Sequence, residues 1–241
     1  MLKKKKNEQS KNKPSKLGPD LNFATKEAYN LLRTNLYFSL PDRQGGKVIG
    51  VTSACPQEGK STTSVNVSYA LAEAGHKVIL IDSDMRRPSV ANVLELEKAP
   101  GLSNVLVEEE YKDVIHKDVL HGDMSVLLSG DIPPNPSELV GSERMHQLIE
   151  RFRQEYDYVI IDLPPVNSVS DPIIISKYID GVVVVVRHGH TRRKDVLEAV
   201  RQLKFAKANI LGVVYNAYRK NGSIRSYRSG YRSSDKYYYK D

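Results

Sequence analysis

The chain alternates short, almost wholly apolar runs with longer stretches in which apolar residues recur at helical spacing. Residues 48–51, 77–82, 124–128, 158–162, 182–186 and 210–216 are rich in Val, Ile and Leu. Runs this short and this β-branched read as strands covered on both faces. Between them, 61–75, 136–156 and 192–206 read as helices, and shorter helices fit 89–94, 102–107 and 171–180. The helix over 136–156 follows the rigid turn Pro133-Pro134-Asn135-Pro136. It has Ser137 and Glu138 at its start and Leu148, Ile149 and Phe152 on its apolar side. Ahead of the first strand, 24–38 repeats apolar residues at Ala28, Leu31, Leu32 and Leu36, with Glu27, Asn30 and Arg33 on another face. Strands alternating with helices imply an α/β fold with a mainly parallel sheet and helices on both faces.

Chemistry sits where the strands end. After the first strand comes Ala54-Cys55-Pro56-Gln57-Glu58-Gly59-Lys60-Ser61-Thr62, and a helix follows. Strand, loop, Gly-Lys-Ser and helix form the context of a P-loop, although Ala54 stands where the first glycine of that motif belongs. Unpaired N–H groups at the helix start attract phosphate. Gly59 lets the backbone approach closely, Lys60 can reach the β- and γ-phosphates, and Ser61 can place its hydroxyl on Mg²⁺. Gln57, Glu58 and Thr62 complete the nucleotide-binding stretch. The second strand ends in Asp82-Ser83-Asp84, whose carboxylates can serve Mg²⁺ or take a proton; the plain alternative is a capping loop. The run 158–162 ends in Asp162, and Leu163-Pro164-Pro165 forces the chain off the sheet. That is a Walker-B pattern, a carboxylate that holds Mg²⁺ from the second side. His188 and His190 lack a third ligand and read as a loop rather than a metal site.

Charge changes the picture at the ends. Residues 1–16 hold seven lysines against one glutamate, and 219–241 hold seven basic residues against two aspartates. The whole chain is only +7, so its middle is net acidic. Residues 1–20 read as a disordered basic tail, 21–217 as the folded domain and 218–241 as a flexible tail. Basic tails attract nucleic acid or anionic lipid, or are simply solvated. The single cysteine, Cys55, excludes an internal disulfide framework. No run reaches the roughly 18–20 apolar residues of a membrane span. The last segment carries Tyr218, Tyr227, Tyr231, Tyr237, Tyr238 and Tyr239, six of the fourteen tyrosines, with no Val, Leu or Phe among them. Such a segment cannot bury a core, so its tyrosines are available as base-stacking rings or as phosphate acceptors.

Together these features resemble the bacterial tyrosine kinases, in particular the cytoplasmic kinase subunit of capsular or exopolysaccharide systems. The P-loop, the Walker A′ stretch Ile81-Asp82-Ser83-Asp84-Met85-Arg86-Arg87-Pro88, the Ile160-Ile161-Asp162-Leu163-Pro164-Pro165 run and the tyrosine-rich end carry the resemblance. It implies a P-loop NTPase fold similar to ParA/MinD and ATP with Mg²⁺ as cofactors. Lys60, Asp82, Asp84 and Asp162 would be catalytic; Ser61, Asp82, Asp84 and Asp162 would be at the metal. Asn216 falls where the family contacts adenine. The family phosphorylates its tail tyrosines between subunits of a ring. Its ring helix reads Glu-x-x-Arg-x-x-Arg; Glu27 and Arg33 match as oligomer contacts, but Asn30 replaces the middle arginine. A chain-length-determinant-type membrane adaptor would activate it at the inner face of the cell membrane, and a cognate phosphatase would reverse the modification. No nucleic-acid partner is implied. The rival readings are a ParA/MinD-like positioning ATPase and a non-catalytic nucleotide-dependent scaffold. The former's second lysine near the P-loop start is absent from Cys55-Pro56-Gln57.

Overall fold

A computed structural model describes residues 17–40, 44–97, 99–108 and 114–218. The strands are β1 (Lys47–Ser53), β2 (Val78–Asp82), β3 (Ile115–His116), β4 (Met124–Leu127), β5 (Tyr158–Asp162), β6 (Gly181–Arg187) and β7 (Ile210–Asn216). They form one sheet in the order β3-β4-β2-β5-β1-β6-β7. Every pairing is parallel except β3 with β4. The expected parallel sheet is present. The two-residue β3 is an addition that no apolar run announces.

Alternate residues of the central strands feed two cores, which is why these strands are apolar throughout. Val48, Ile79, Ile81, Val159 and Ile161 face one side, with Leu148, Ile149 and Phe152 packed on them. Ile49, Val51, Leu80 and Ile160 face the other, against Val65, Val67 and Leu71. Each large side chain removed from water in this way contributes about 1.5–3 kcal/mol.

The helices are α1 (Phe23–Ser39), α2 (Lys60–Glu73), α3 (Val90–Leu94), α4 (Leu102–Val107), α5 (Pro136–Val140), α6 (Glu143–Glu155), α7 (Asp171–Ile175) and α8 (Arg193–Phe205). Three expectations are corrected. The single helix over 136–156 is two, because Ser142 takes an extended conformation and caps α6 by accepting the Met145 N–H. The helix expected over 171–180 stops at Ile175. Residues 18–20, assigned to the tail by the sequence reading, form a 3₁₀ turn, Gly18–Asp20, that packs on α2, and buried Gly18 donates its N–H to Asn66 Oδ1 at 2.9 Å. Among the described residues no helix is long and apolar enough to cross a membrane.

Candidate active site

The site lies at the carboxyl ends of β1, β2 and β5, where the loops leave a parallel sheet. Asp82 and Asp162 are register partners on neighbouring strands, so the sheet itself brings the two carboxylates together. The loop after β1 turns at Gly59, whose φ of 89° opens α2. A Cβ there would stand 2.1 Å from Asn216 Nδ2 and would also meet an unfavourable backbone angle. Glycine is therefore required twice over at this position.

Lys60, at the start of α2, extends its ammonium to Asp84 Oδ2 at 2.9 Å and Asp162 Oδ2 at 3.3 Å. Ser61 Oγ donates to Asp162 Oδ2 at 2.5 Å and meets Ser89 Oγ at 2.6 Å. Ser64, one turn on from Lys60, donates to Asp162 Oδ1 at 3.0 Å. Asp82 accepts the backbone N–H of Asp84 and of Val90, one on each oxygen, both at 3.1 Å. Asp84 accepts the Arg87 N–H on Oδ1 and keeps Oδ2 for Lys60. Burial lowers the Lys60 pKa, but Asp162 and Asp84 outweigh it and raise it overall. Burial, then the Asp162 charge, pushes Asp82 up to about 7. Burial also raises Asp162, against the opposing pull of Lys60, Ser61 and Ser64.

These groups open on a cavity of about 600 Å³. Its walls include Gln57, Gly59, Lys60, Ser61, Thr62 and Asp84, while Asp82 lies beneath the surface. Glu58 is part of the loop, but its buried carboxylate turns away from the cavity. It accepts the Cys55 N–H at 3.0 Å and the Thr191 hydroxyl. Of Glu58 only the backbone remains for a phosphate. Asn216, at the end of β7, donates to the Glu58 carbonyl at 2.9 Å and so braces the loop.

The donor set fits Mg²⁺. Ser61, Asp82, Asp84 and Asp162 offer hard oxygen ligands around one ammonium. Among the described residues, no three His, Cys, Asp or Glu side chains form a closed cage. Mg²⁺ bound through one or two carboxylates and substrate phosphates needs none.

His188 and His190 serve the loops instead of a metal. His188 Nδ1 meets Tyr215 Oη at 2.5 Å, and His190 Nε2 meets the Pro56 carbonyl at 3.3 Å. Tyr218 departs from the expected free tail: its ring packs on His188 and Tyr215, with centroids 5.4 and 5.6 Å apart, though it stays half exposed. Tyr227, Tyr231, Tyr237, Tyr238 and Tyr239 lie outside the described residues. Glu27 is exposed on α1 and accepts from Asn30 at 3.0 Å, whereas Arg33 bonds the Ala70 carbonyl of α2 at 2.8 Å. Sequence reasoning missed Ser64 and Ser89. Helical spacing from Lys60 points to Ser64; nothing local points to Ser89.

Residues 46–210 match the AAA domain family. The chain is 40% identical over 190 residues to the tyrosine-protein kinase YwqD of Bacillus subtilis, covering 79% of this chain and 80% of that protein. It is 39% identical over 193 residues to the tyrosine-protein kinase CpsD of Streptococcus pneumoniae, covering 79% and 83%. Against the putative tyrosine-protein kinase EpsB of Ralstonia solanacearum, at 35% identity, it spans only 27% of the longer protein. The solved kinase domain of Escherichia coli tyrosine kinase ETK superposes with a TM-score of 0.77 at 34% identity, covering 82% of this chain and 77% of that one. MinD of Pyrococcus horikoshii, complexed with Mg-ADP, reaches a TM-score of 0.60 at 23% identity over 75% of this chain and 73% of its own, a likeness of fold alone. With Lys60, Ser61, Asp82, Asp84 and Asp162 assembled on this sheet, the chain belongs to the bacterial tyrosine-protein kinase family.

Proposed function

We propose that this protein transfers the γ-phosphoryl group of ATP to tyrosine hydroxyls, and that the acceptors include its own C-terminal cluster, presented by one subunit to the next. The observation that carries the reading is the Lys60–Asp84–Asp162–Ser61 cluster beneath an open cavity. Phosphoryl transfer needs positioning and charge neutralisation more than covalent chemistry. Loop amides from Gln57 to Thr62 and the Lys60 ammonium hold the phosphates. Ser61 and Asp162, with Asp84 beside them, would hold Mg²⁺, and the ion would supply charge neutralisation at the phosphoryl oxygens. The tyrosine oxygen forms a bond to the γ-phosphorus as the bond to the bridging oxygen breaks and ADP leaves. The phenolic proton passes to the aspartate cluster, in which Asp84 lines the cavity and Asp82 lies beneath it. Asn216 braces the loop through the Glu58 carbonyl, and the family resemblance assigns it the adenine.

The tail delivers Tyr227, Tyr231, Tyr237, Tyr238 and Tyr239, with Tyr218 at its root. Each phosphorylation adds about −1.5 to −2 charges, so several of them reverse the basic charge of 219–241 and drive subunits apart. Glu27 and Arg33 on α1 contribute to a ring. A membrane adaptor of chain-length-determinant type holds the ring at the inner face of the membrane, a phosphatase resets it, and the cycle tunes capsular or exopolysaccharide polymerisation and export.

Mass spectrometry of the purified chain after incubation with Mg·ATP tests the reading. Phosphate on several tail tyrosines, lost in Lys60→Met, supports it. ATP turnover with unmodified tyrosines, persisting when an adaptor's cytoplasmic segment is added, replaces it with a positioning ATPase.

A further inference from the structure

Asp171 is fully buried at the start of α7, nine residues beyond Asp162 and on a different element. Arg86 donates to it twice, from Nε at 3.0 Å and from Nη2 at 3.4 Å. Ser137, at the start of α5, donates to Asp171 Oδ1 at 2.6 Å and accepts from Arg86 Nη2 at 2.7 Å. The three side chains form a closed ring that fixes the direction of the guanidinium.

Arg86 belongs to the turn between β2 and α3, the segment that carries Asp84 and Ser89. On its inner side that turn is pinned by Asp82, which accepts the N–H of Asp84 and Val90. On its outer side Arg86 ties it to α5 and α7. A tilt of the turn between these two anchors would move Asp84 Oδ2 from Lys60 and Ser89 Oγ from Ser61 together, because both contacts are made from this one segment. A buried ion pair is by itself weak evidence for stability. This one joins the catalytic turn to the opposite layer of the fold, at the wall of the cavity.

We propose that Asp171 is a positioning residue for phosphoryl transfer: acting through Arg86, it holds the turn so that Asp84 and Ser89 meet Lys60 and Ser61. The inference rests on the kinase reading above. It predicts a much larger effect on the chemical step than on nucleotide affinity, because the loop amides assigned to the phosphates and Ser61 and Asp162, assigned to the metal, belong to other segments.

The test uses the full chain and the variants Asp171→Asn, Arg86→Gln, Arg86→Lys and the double variant Asp171→Asn/Arg86→Gln. Phosphotyrosine formation is followed against ATP concentration, with Mg·ADP affinity and ATP hydrolysis measured in parallel. Misplacement of a reacting group by about 1 Å costs up to about a hundredfold. Each single variant at Asp171 or Arg86→Gln is therefore expected to lower kcat about tenfold to a hundredfold, with KM for ATP and Kd for Mg·ADP within about threefold of wild type. The double variant falls no further than the worse single one, since both break the same link. Arg86→Lys restores only part of the rate, because an ammonium cannot reproduce the forked contact. Unchanged kcat, a matching loss of ADP affinity, or multiplicative losses in the double variant would overturn the proposal. Arg86 is over a third exposed, so Arg86→Gln reads the link even if Asp171→Asn fails to fold. A wild type that makes no phosphotyrosine counts against the kinase reading instead, and the same variants are then compared through ATP hydrolysis.

Discussion

At the amino-terminal edge of the sheet, Arg153 donates to buried Asp180 at 2.7 Å and to the Gly46 carbonyl at 3.0 Å. Asp180 also accepts the Val48 N–H at 2.8 Å. At the carboxyl edge, Lys60 lies between Asp84 and Asp162, with Asp82 behind them. Both clusters are buried and charged. The first matches one guanidinium to one buried carboxylate, gives its Nε to the partly exposed Glu150 at 3.2 Å, and turns its other donors to the Gly46 and Tyr178 carbonyls. The second gathers three carboxylates around one ammonium and opens on a cavity. A closed, balanced cluster fastens two parts of a fold; an unbalanced one leaves charge for a divalent cation and a phosphate to complete. Paired cations and aspartates thus close on themselves at one edge and face a cavity at the other.

The largest effect that separates the two is on catalysis. Lys60→Met is expected to lower tyrosine phosphorylation by at least about 10²–10³-fold, as removal of a preorganised charge does, while the protein still melts cooperatively. Its cost in stability stays below that of the Arg153 change, because Asp84 lines the open cavity and the carboxylates left behind can take a proton. Arg153→Met is the mirror image. It takes the guanidinium from buried Asp180 and should cost about 3 kcal/mol of stability, read by urea unfolding, with activity per folded molecule preserved. Equal loss of activity in both variants would erase the distinction.

Titration sharpens it further. Asp82 is raised to about 7 by burial first and Asp162 second, whereas an unfolded aspartate titrates near about 3.9. Between those values the folded state holds a proton that the unfolded state has released. The stability this group supplies is full below the unfolded pKa and is lost as pH rises through the folded one. Melting in EDTA should therefore weaken from about pH 5 to about pH 8 more steeply in wild type than in Asp82→Asn. Mg·ADP should flatten that slope, since a cation favours the ionised form. A wild-type slope equal to that of Asp82→Asn would place the strain elsewhere. The smallest effect belongs to the brace: Asn216→Ala loses one hydrogen bond to the loop, about 1 kcal/mol, and should weaken Mg·ADP binding about fivefold by calorimetry.

Much of the fold was legible because each central strand is covered on both faces and so must be apolar throughout. The run 158–162 could be nothing else, and its terminal Asp162 stood out against it. The break in the helix over 136–156 was not legible, because Gly141 and Ser142 interrupt a pattern whose apolar spacing continues on either side. The two residues of β3 carry no pattern at all. In the site, Gly59, Lys60 and Ser61 announced themselves by motif, and Asp82, Asp84 and Asp162 by their place after strands. Glu58 misled, because a motif assigns a position to the loop but not a direction to the side chain.

The sequence by itself determined every strand but β3, most of the order of strand and helix, and the Gly59-Lys60-Ser61 turn that opens α2, since these depend on local periodicity and on backbone geometry over a few positions. Only the tertiary structure decided which charges meet. Asp82 faces Asp162 because β2 and β5 are neighbours in register; Arg86 meets Asp171 across 85 residues, and Asn216 meets Glu58 across 158. Hydrogen bonds act within a few ångströms and exposed charges are screened beyond about 10 Å, so the surroundings of a carboxylate are set by neighbours that the chain brings together only when it folds.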